Sequence, residues 1–212
     1  MAGGRLAEVA GAVLLGGASA RMGSDKAHLR VGGVALATRA AGLLAEICED
    51  VLLVGGDPPP DAPGRRVADL EGPRCALRGI ASALSAARAE RVLVLATDLP
   101  LVTPDLLLAL AALPPADALI PRPADGAQPL CALYRRAPAL AAARAQLAAG
   151  RLAVADFTAR VGAVWLEGAE LARVDPAGTA LLNVNDPAGL ERAEALLGAR
   201  SQGPQGAASA DA

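Results

Sequence analysis

The sequence predicts an α/β fold whose mostly parallel central sheet is covered by helices on both faces. Two observations carry this. Short apolar runs alternate with amphipathic helical patterns along the chain, and the strongest runs are apolar throughout, as strands buried on both faces must be. The first such run, Ala10 to Leu15, breaks into Gly16-Gly17. Leu36 to Ile47 then places Leu36, Ala40, Leu43, Leu44 and Ile47 at helical spacing. Val51–Val54 reads as a short strand closed by Gly55-Gly56, and residues 57–64, with four prolines, as a loop. Arg66 to Ala68 reads as a brief strand leading to Asp69, and Leu77 to Ala89 as a helix. Val92 to Ala96 is the clearest strand and runs into Thr97-Asp98; a helix follows, with Thr103 as N-cap and Pro104 at its first position. Strands are expected at Ala118–Ile120, Leu130–Tyr134, Ala163–Leu166 and Ala180–Val184, and helices at Pro138–Ala149 and Pro187–Leu197. In such sheets ligands bind at the carboxyl ends of the strands, so the glycine loop and Asp98 fall on one edge.

Composition narrows the function classes. The 212 residues suit one domain, taken as 1–200, followed by a tail, 201–212, too polar and small-sided to bury an apolar face and expected to be disordered. Charge is nearly balanced, 20 Lys+Arg against 22 Asp+Glu, and Phe157, Trp165 and Tyr134 are the only aromatics. Neither a basic surface nor stacking platforms for nucleic acid are therefore expected. Asp98, Pro100, Pro104 and Asp105 interrupt the greasiest region, Val92–Leu113, which excludes a membrane span there. An N-terminal export signal is opposed by Glu8, and cleavage after Ala20 would cut the glycine-rich loop. Cys48, Cys75 and Cys131 lack metal-ligand spacing and read as reduced, mostly core thiols of a cytoplasmic protein. His28 is the only histidine, which leaves zinc catalysis and Ser-His-Asp chemistry with almost nothing to work with.

The segment Leu14-Leu15-Gly16-Gly17-Ala18-Ser19-Ala20-Arg21-Met22-Gly23-Ser24-Asp25-Lys26 carries the most chemistry. Glycines let backbone N–H groups turn towards an oxyanion. Arg21 offers a planar fork of donors and Lys26 a compact charge on a flexible stem, as a polyphosphate requires. The spacing is neither Walker A nor Gly-x-Gly-x-x-Gly. Asp98, closing a buried strand, is placed either to hold Mg²⁺ or to serve as a turn or helix-start aspartate. Asp69 is a second strand-end carboxylate, whereas Asp186 before Pro187 reads as an N-cap. Asn183 and Asn185 flank Val184: on a strand both amides face one side, for a polar ligand or a metal shell, and the alternative is a local asparagine turn.

Three motifs occur in one order: the glycine-rich segment, Thr97-Asp98-Leu99-Pro100, and Asn183-Val184-Asn185-Asp186-Pro187. Together, over residues 10–198, they resemble the molybdenum cofactor guanylyltransferase family. That resemblance implies a three-layer Rossmann-like nucleotidyltransferase fold of the glycosyltransferase-A type. It implies a Mg²⁺-dependent reaction that joins GMP from GTP to the terminal phosphate of molybdopterin and releases pyrophosphate. It further implies GTP contacts at Leu14, Leu15, Gly16, Gly17, Lys26, Asp69 and Asp98, catalysis by Arg21, Lys26 and Asp98, and the metal on Asp98. Gln128, Pro129, Arg151, Asn183 and Asn185 match positions on the pterin side, and proteins of the molybdenum pathway are implied partners. Leu15 stands where alanine is usual, and Val54 where an asparagine contacts nucleotide in some members. Near Arg151 a second basic residue is missing.

An ionised phosphate nucleophile needs no strong general base, which fits a chain with a single histidine; positioning and charge neutralisation dominate such transfers. The other readings are a cytidylyltransferase acting on the same pterin with CTP, a catalytically impaired GTP-binding regulator, and a sugar-phosphate nucleotidyltransferase, which the asparagine pair disfavours.

Overall fold

The computed structural model describes residues 6, 8–16 and 26–201. Its strands are β1 (Val9–Leu14), β2 (Arg30–Val31), β3 (Val34–Ala35), β4 (Val51–Val54), β5 (Arg65–Val67), β6 (Arg91–Ala96), β7 (Ala118–Pro121), β8 (Cys131–Arg135) and β9 (Ala163–Leu166). The helices are α1 (Leu36–Ile47), α2 (Ala76–Ala86), α3 (Pro104–Ala112), α4 (Arg136–Ala148), α5 (Val154–Arg160), α6 (Gly168–Val174) and α7 (Pro187–Ser201), with a 3-10 turn at Lys26–His28. Seven strands form one sheet in the order β5-β4-β1-β6-β8-β7-β9, and β2-β3 form a separate hairpin. Only β8 runs against its neighbours in the main sheet, so the mostly parallel arrangement holds.

Alternation along each strand sorts the core into two layers. Val9 and Val13 of β1, with Leu53 and Leu93, face α1 and α3. Ala10, Ala12 and Leu14, with Leu52 and Val94, face α2 and α4. On the first face helix and sheet approach closely: a Cβ at Gly11 would lie 2.9 Å from the Leu44 Cβ. A smaller cluster of Val31, Leu36, Leu101, Val184 and Ala193 ties the hairpin to α7. No helix among the described residues is long and apolar enough to cross a membrane.

The expected helices and most strands form within a few residues of their expected bounds. The expected Ala180–Val184 strand does not form. Its backbone groups are engaged elsewhere: the Asp175 carboxylate accepts from the Thr179 and Ala180 amides, Leu182 N–H bonds Thr179 O, and Val184 N–H bonds Asp98 O at 2.8 Å. Among the strand pairings none falls to this segment, because the sheet ends at β9. Three short features have too little periodicity to be read from sequence, namely α5, α6 and the β2-β3 hairpin. The hairpin turns on Gly32 and Gly33, both at positive φ (59° and 78°), the geometry of a type I′ turn. The last helix runs four residues past its expected end, to Ser201. Residues 202–212 of the expected tail lie outside the described residues.

Candidate active site

β1, β4, β5 and β6 run in parallel, so their carboxyl ends open on one edge, and there a cavity of about 350 Å³ forms. Leu14 and Gly16 enter it from the end of β1, Val54 and Gly56 from β4, Asp69 from the segment after β5, and Thr97 and Asp98 from β6. The start of α2 contributes Arg74, Cys75, Arg78 and Gly79, and the 3-10 turn contributes Lys26. The turn is anchored by His28, whose Nε2 contacts Asp57 O at 2.9 Å. The histidine thus supports the turn that carries Lys26.

Lys26 is the cationic centre. Its Nζ donates to Asn185 Oδ1 at 2.7 Å and lies 3.6 Å from Asp98 Oδ2. Desolvation raises the Asp98 carboxyl above its usual range, and the Lys26 charge opposes but does not cancel that rise. A carboxylate and an amide oxygen therefore face one cation, a donor set of hard oxygens suited to Mg²⁺. Among the described residues no group of three His, Cys, Asp or Glu side chains could hold a metal. An ion here would need oxygens from substrate phosphates besides the protein's own.

Asp69 sits across the cavity in an ion pair with Arg78, Oδ2 to Nη2 at 2.9 Å. Sequence reasoning missed Arg78, as well as Arg74 and Cys75. The signal was an arginine followed by glycine at the opening of a helix, a few residues beyond a strand-end carboxylate. Leu15 does not line the cavity; it is buried in the core, and its N–H bonds Val54 O at 2.9 Å. The unusual leucine is thus accommodated by packing, and any ligand contact there is through backbone. Val54 does line the cavity.

The two asparagines part company. With no strand to alternate along, Asn185 reaches Lys26 while Asn183 lines a second, wider cavity of about 1290 Å³ with Arg122, Glu167 and Arg192. Val184, fully buried between them, packs with Val31, Leu36, Leu101 and Ala193. Asp186 caps α7, accepting from Gly189 N–H at 2.8 Å, as expected. Gln128, Pro129 and Arg151 line neither cavity. Gln128 and Pro129 form the turn before β8, where the Pro129 carbonyl accepts from Tyr134 Oη, and Arg151 is exposed after the α4 terminus. Gly17 and Arg21 lie outside the described residues.

Residues 11–161 match the family described as the MobA-like NTP transferase domain. The chain is 42% identical over 203 residues to a protein of Chloroflexus aggregans named "Probable molybdenum cofactor guanylyltransferase", covering 90% of this chain and 95% of that one. It is 36% identical over 194 residues to the molybdenum cofactor guanylyltransferase of Cereibacter sphaeroides, covering 88% and 96%. Its fold is similar to that of molybdopterin-guanine dinucleotide biosynthesis protein A from Archaeoglobus fulgidus, with a TM-score of 0.75 at 24% identity, covering 90% and 99%.

Proposed function

This chain belongs to the MobA-like NTP transferase family, and on that footing we propose that it transfers GMP from GTP to the terminal phosphate of molybdopterin, releasing pyrophosphate. The observation that supports this most is the meeting, at one sheet edge, of the end of β1, Lys26, Asp69 and Asp98, with Asn185 bonded to the lysine.

An acceptor phosphate oxygen attacks the α-phosphorus; the new P–O bond forms as the bond to the β-phosphate oxygen breaks, and its electron pair leaves with pyrophosphate. Lys26 neutralises charge on the phosphates, with Arg21 and the loop amides in support. Asp98 and Asn185 would hold Mg²⁺, which when bound supplies electrostatic stabilisation of the charge on the phosphates. The cavity wall from β4, β5 and α2 encloses the nucleoside. Asn183 and the wider cavity that it lines are suited to the approach of the acceptor.

The test is mass spectrometry of the protein with molybdopterin, Mg²⁺ and an equimolar mixture of GTP and CTP. The expected product is the guanine dinucleotide with one pyrophosphate per turnover. A cytosine dinucleotide, or bound GTP without conversion, would overturn the assignment.

A further inference from the structure

Arg78 is the most fully engaged cation in the cavity wall. It stands in the first turn of α2 with its side chain 15% exposed. Nη1 donates to Gly72 O at 2.6 Å and Nη2 to Asp69 Oδ2 at 2.9 Å, while Nε is buried without a hydrogen-bond partner. Gly55, at φ +68°, lies beside the same carboxylate, where a Cβ would come within 2.9 Å of Oδ2. One carboxylate oxygen is therefore clamped in place.

The other oxygen is not. Asp69 Oδ1 has only a 3.3 Å contact with Ser82 Oγ. That hydroxyl has one hydrogen, and it has a better acceptor in Arg78 O at 2.8 Å. Ser82 Oγ itself accepts from Leu70 N–H at 2.8 Å, which fixes the segment carrying Asp69. Asp69 thus lines the cavity with one carboxylate oxygen that keeps spare acceptor capacity, its charge balanced by the neighbouring Arg78 guanidinium.

Sheet order says which end of a nucleotide meets it. β5 and β6 are three positions apart in the order β5-β4-β1-β6, so Asp69 and Asp98 are separated by roughly 14 Å at about 4.8 Å per strand. Lys26 and Asp98 form the phosphate end; Asp69 is at the end left for the base. Guanine presents two N–H donors side by side, N1–H and the N2 amino group. Cytosine and adenine have a ring-nitrogen acceptor at the matching ring position, which a carboxylate oxygen repels.

We propose that Arg78 is a positioning residue for base selection, holding Asp69 so that its free oxygen accepts from the N–H edge of guanine. This rests on the reading of the protein as a guanylyltransferase. Arg78 acts through Asp69 and touches neither the phosphates nor the acceptor.

The experiment compares GTP with ITP, which keeps N1–H but lacks the N2 amino group, in steady-state turnover and in calorimetric binding without acceptor. The proteins are wild type, Arg78→Met, Arg78→Lys and Asp69→Asn. Wild type should favour GTP over ITP by about tenfold or more, because a site built to bond that group rejects its absence. Arg78→Met should raise KM for GTP by about tenfold, more than it lowers kcat, and bring the GTP/ITP ratio towards one. Arg78→Lys should recover part of the ratio, and Asp69→Asn should lose it. An unchanged ratio in Arg78→Met would overturn the proposal, as would a loss confined to kcat. Should Arg78→Met fail to fold, Arg78→Lys and Asp69→Asn carry the same readout. A wild-type protein that binds CTP in preference to GTP would instead refute the guanylyl reading itself.

Discussion

Lys26 Nζ and Asn185 Oδ1, 159 residues apart in the chain, meet at 2.7 Å above the carboxyl end of β6. The bond joins the first motif of the sequence to the last, and Asp98, the middle one, lies 3.6 Å from the same nitrogen. Lys26→Ala should weaken GTP binding and slow turnover together, since both ground state and transition state lose a cation. Asn185→Ala should impair turnover while leaving the rest of the cavity wall intact. Calorimetry and initial rates on the two variants and their double mutant test this. Additive losses would mean that the pair does not act as a unit.

Asp98→Ala should lower kcat by roughly 10²-fold or more, scaled from the loss of one preorganised electrostatic contact. Saturating Mg²⁺ should not restore it; turnover at the wild-type rate would remove Asp98 from the machinery.

The same carboxyl should cost the free protein stability at neutral pH. Its folded pKa is raised, chiefly by desolvation, so between the unfolded and folded values the folded state binds more protons. Stability contributed by this group is full below the unfolded value and is lost as pH rises through the folded one. Asp98→Asn should therefore melt at or above the wild-type temperature at pH 7, and the gap should close towards pH 4. Differential scanning calorimetry without metal or nucleotide measures this, and a gap that widens on acidification would contradict it.

Val184→Ala removes a fully buried side chain from the cluster shared by β2, α1 and α7. At about 0.8 kcal/mol per methylene plus a cavity term, the expected loss is roughly 2 kcal/mol in chemical denaturation. Because Val184 sets the backbone between Asn183 and Asn185, turnover should fall as well, even where the protein remains folded. Full activity in a destabilised variant would separate the packing role from the site.

The thiols should divide two to one. Burial pushes both Cys48 and Cys131 up to about 12, so they are scarcely ionised near pH 8. Cys75 is only partly buried and lines the cavity. A thiol-reactive chromophore should titrate one cysteine in the native protein and three in denaturant, and GTP should slow the native reaction. Three rapid native equivalents would contradict the packing of β8 and of the α1 terminus.

Much of the site was legible before any coordinates. Apolar runs with no polar interruption had to be buried on both faces, which makes a parallel sheet, and a parallel sheet puts its strand ends on one edge. Leu14, Gly16, Asp69 and Asp98 line the candidate cavity from strand ends or just beyond them, and Lys26 from the 3-10 turn. Alternation misled at Ala180–Val184, where the side chain of Asp175 and the Asp98 carbonyl take the amides that a ladder would have used. Gln128, Pro129 and Arg151 were matched through family positions, and the folded chain puts them outside both cavities.

The order of residues alone settled most of the sheet strands and the longer helices, because side-chain periodicity and chain-breaking glycines act over a few neighbours. Packing in three dimensions decided the rest: that Asn185 meets a lysine while Asn183 turns to another space, that Leu15 is core, and that Arg78 pairs with Asp69. Those relations depend on how helices settle on the sheet and on which donors find acceptors, and no local pattern encodes a partner such as Asn185, 159 residues from Lys26.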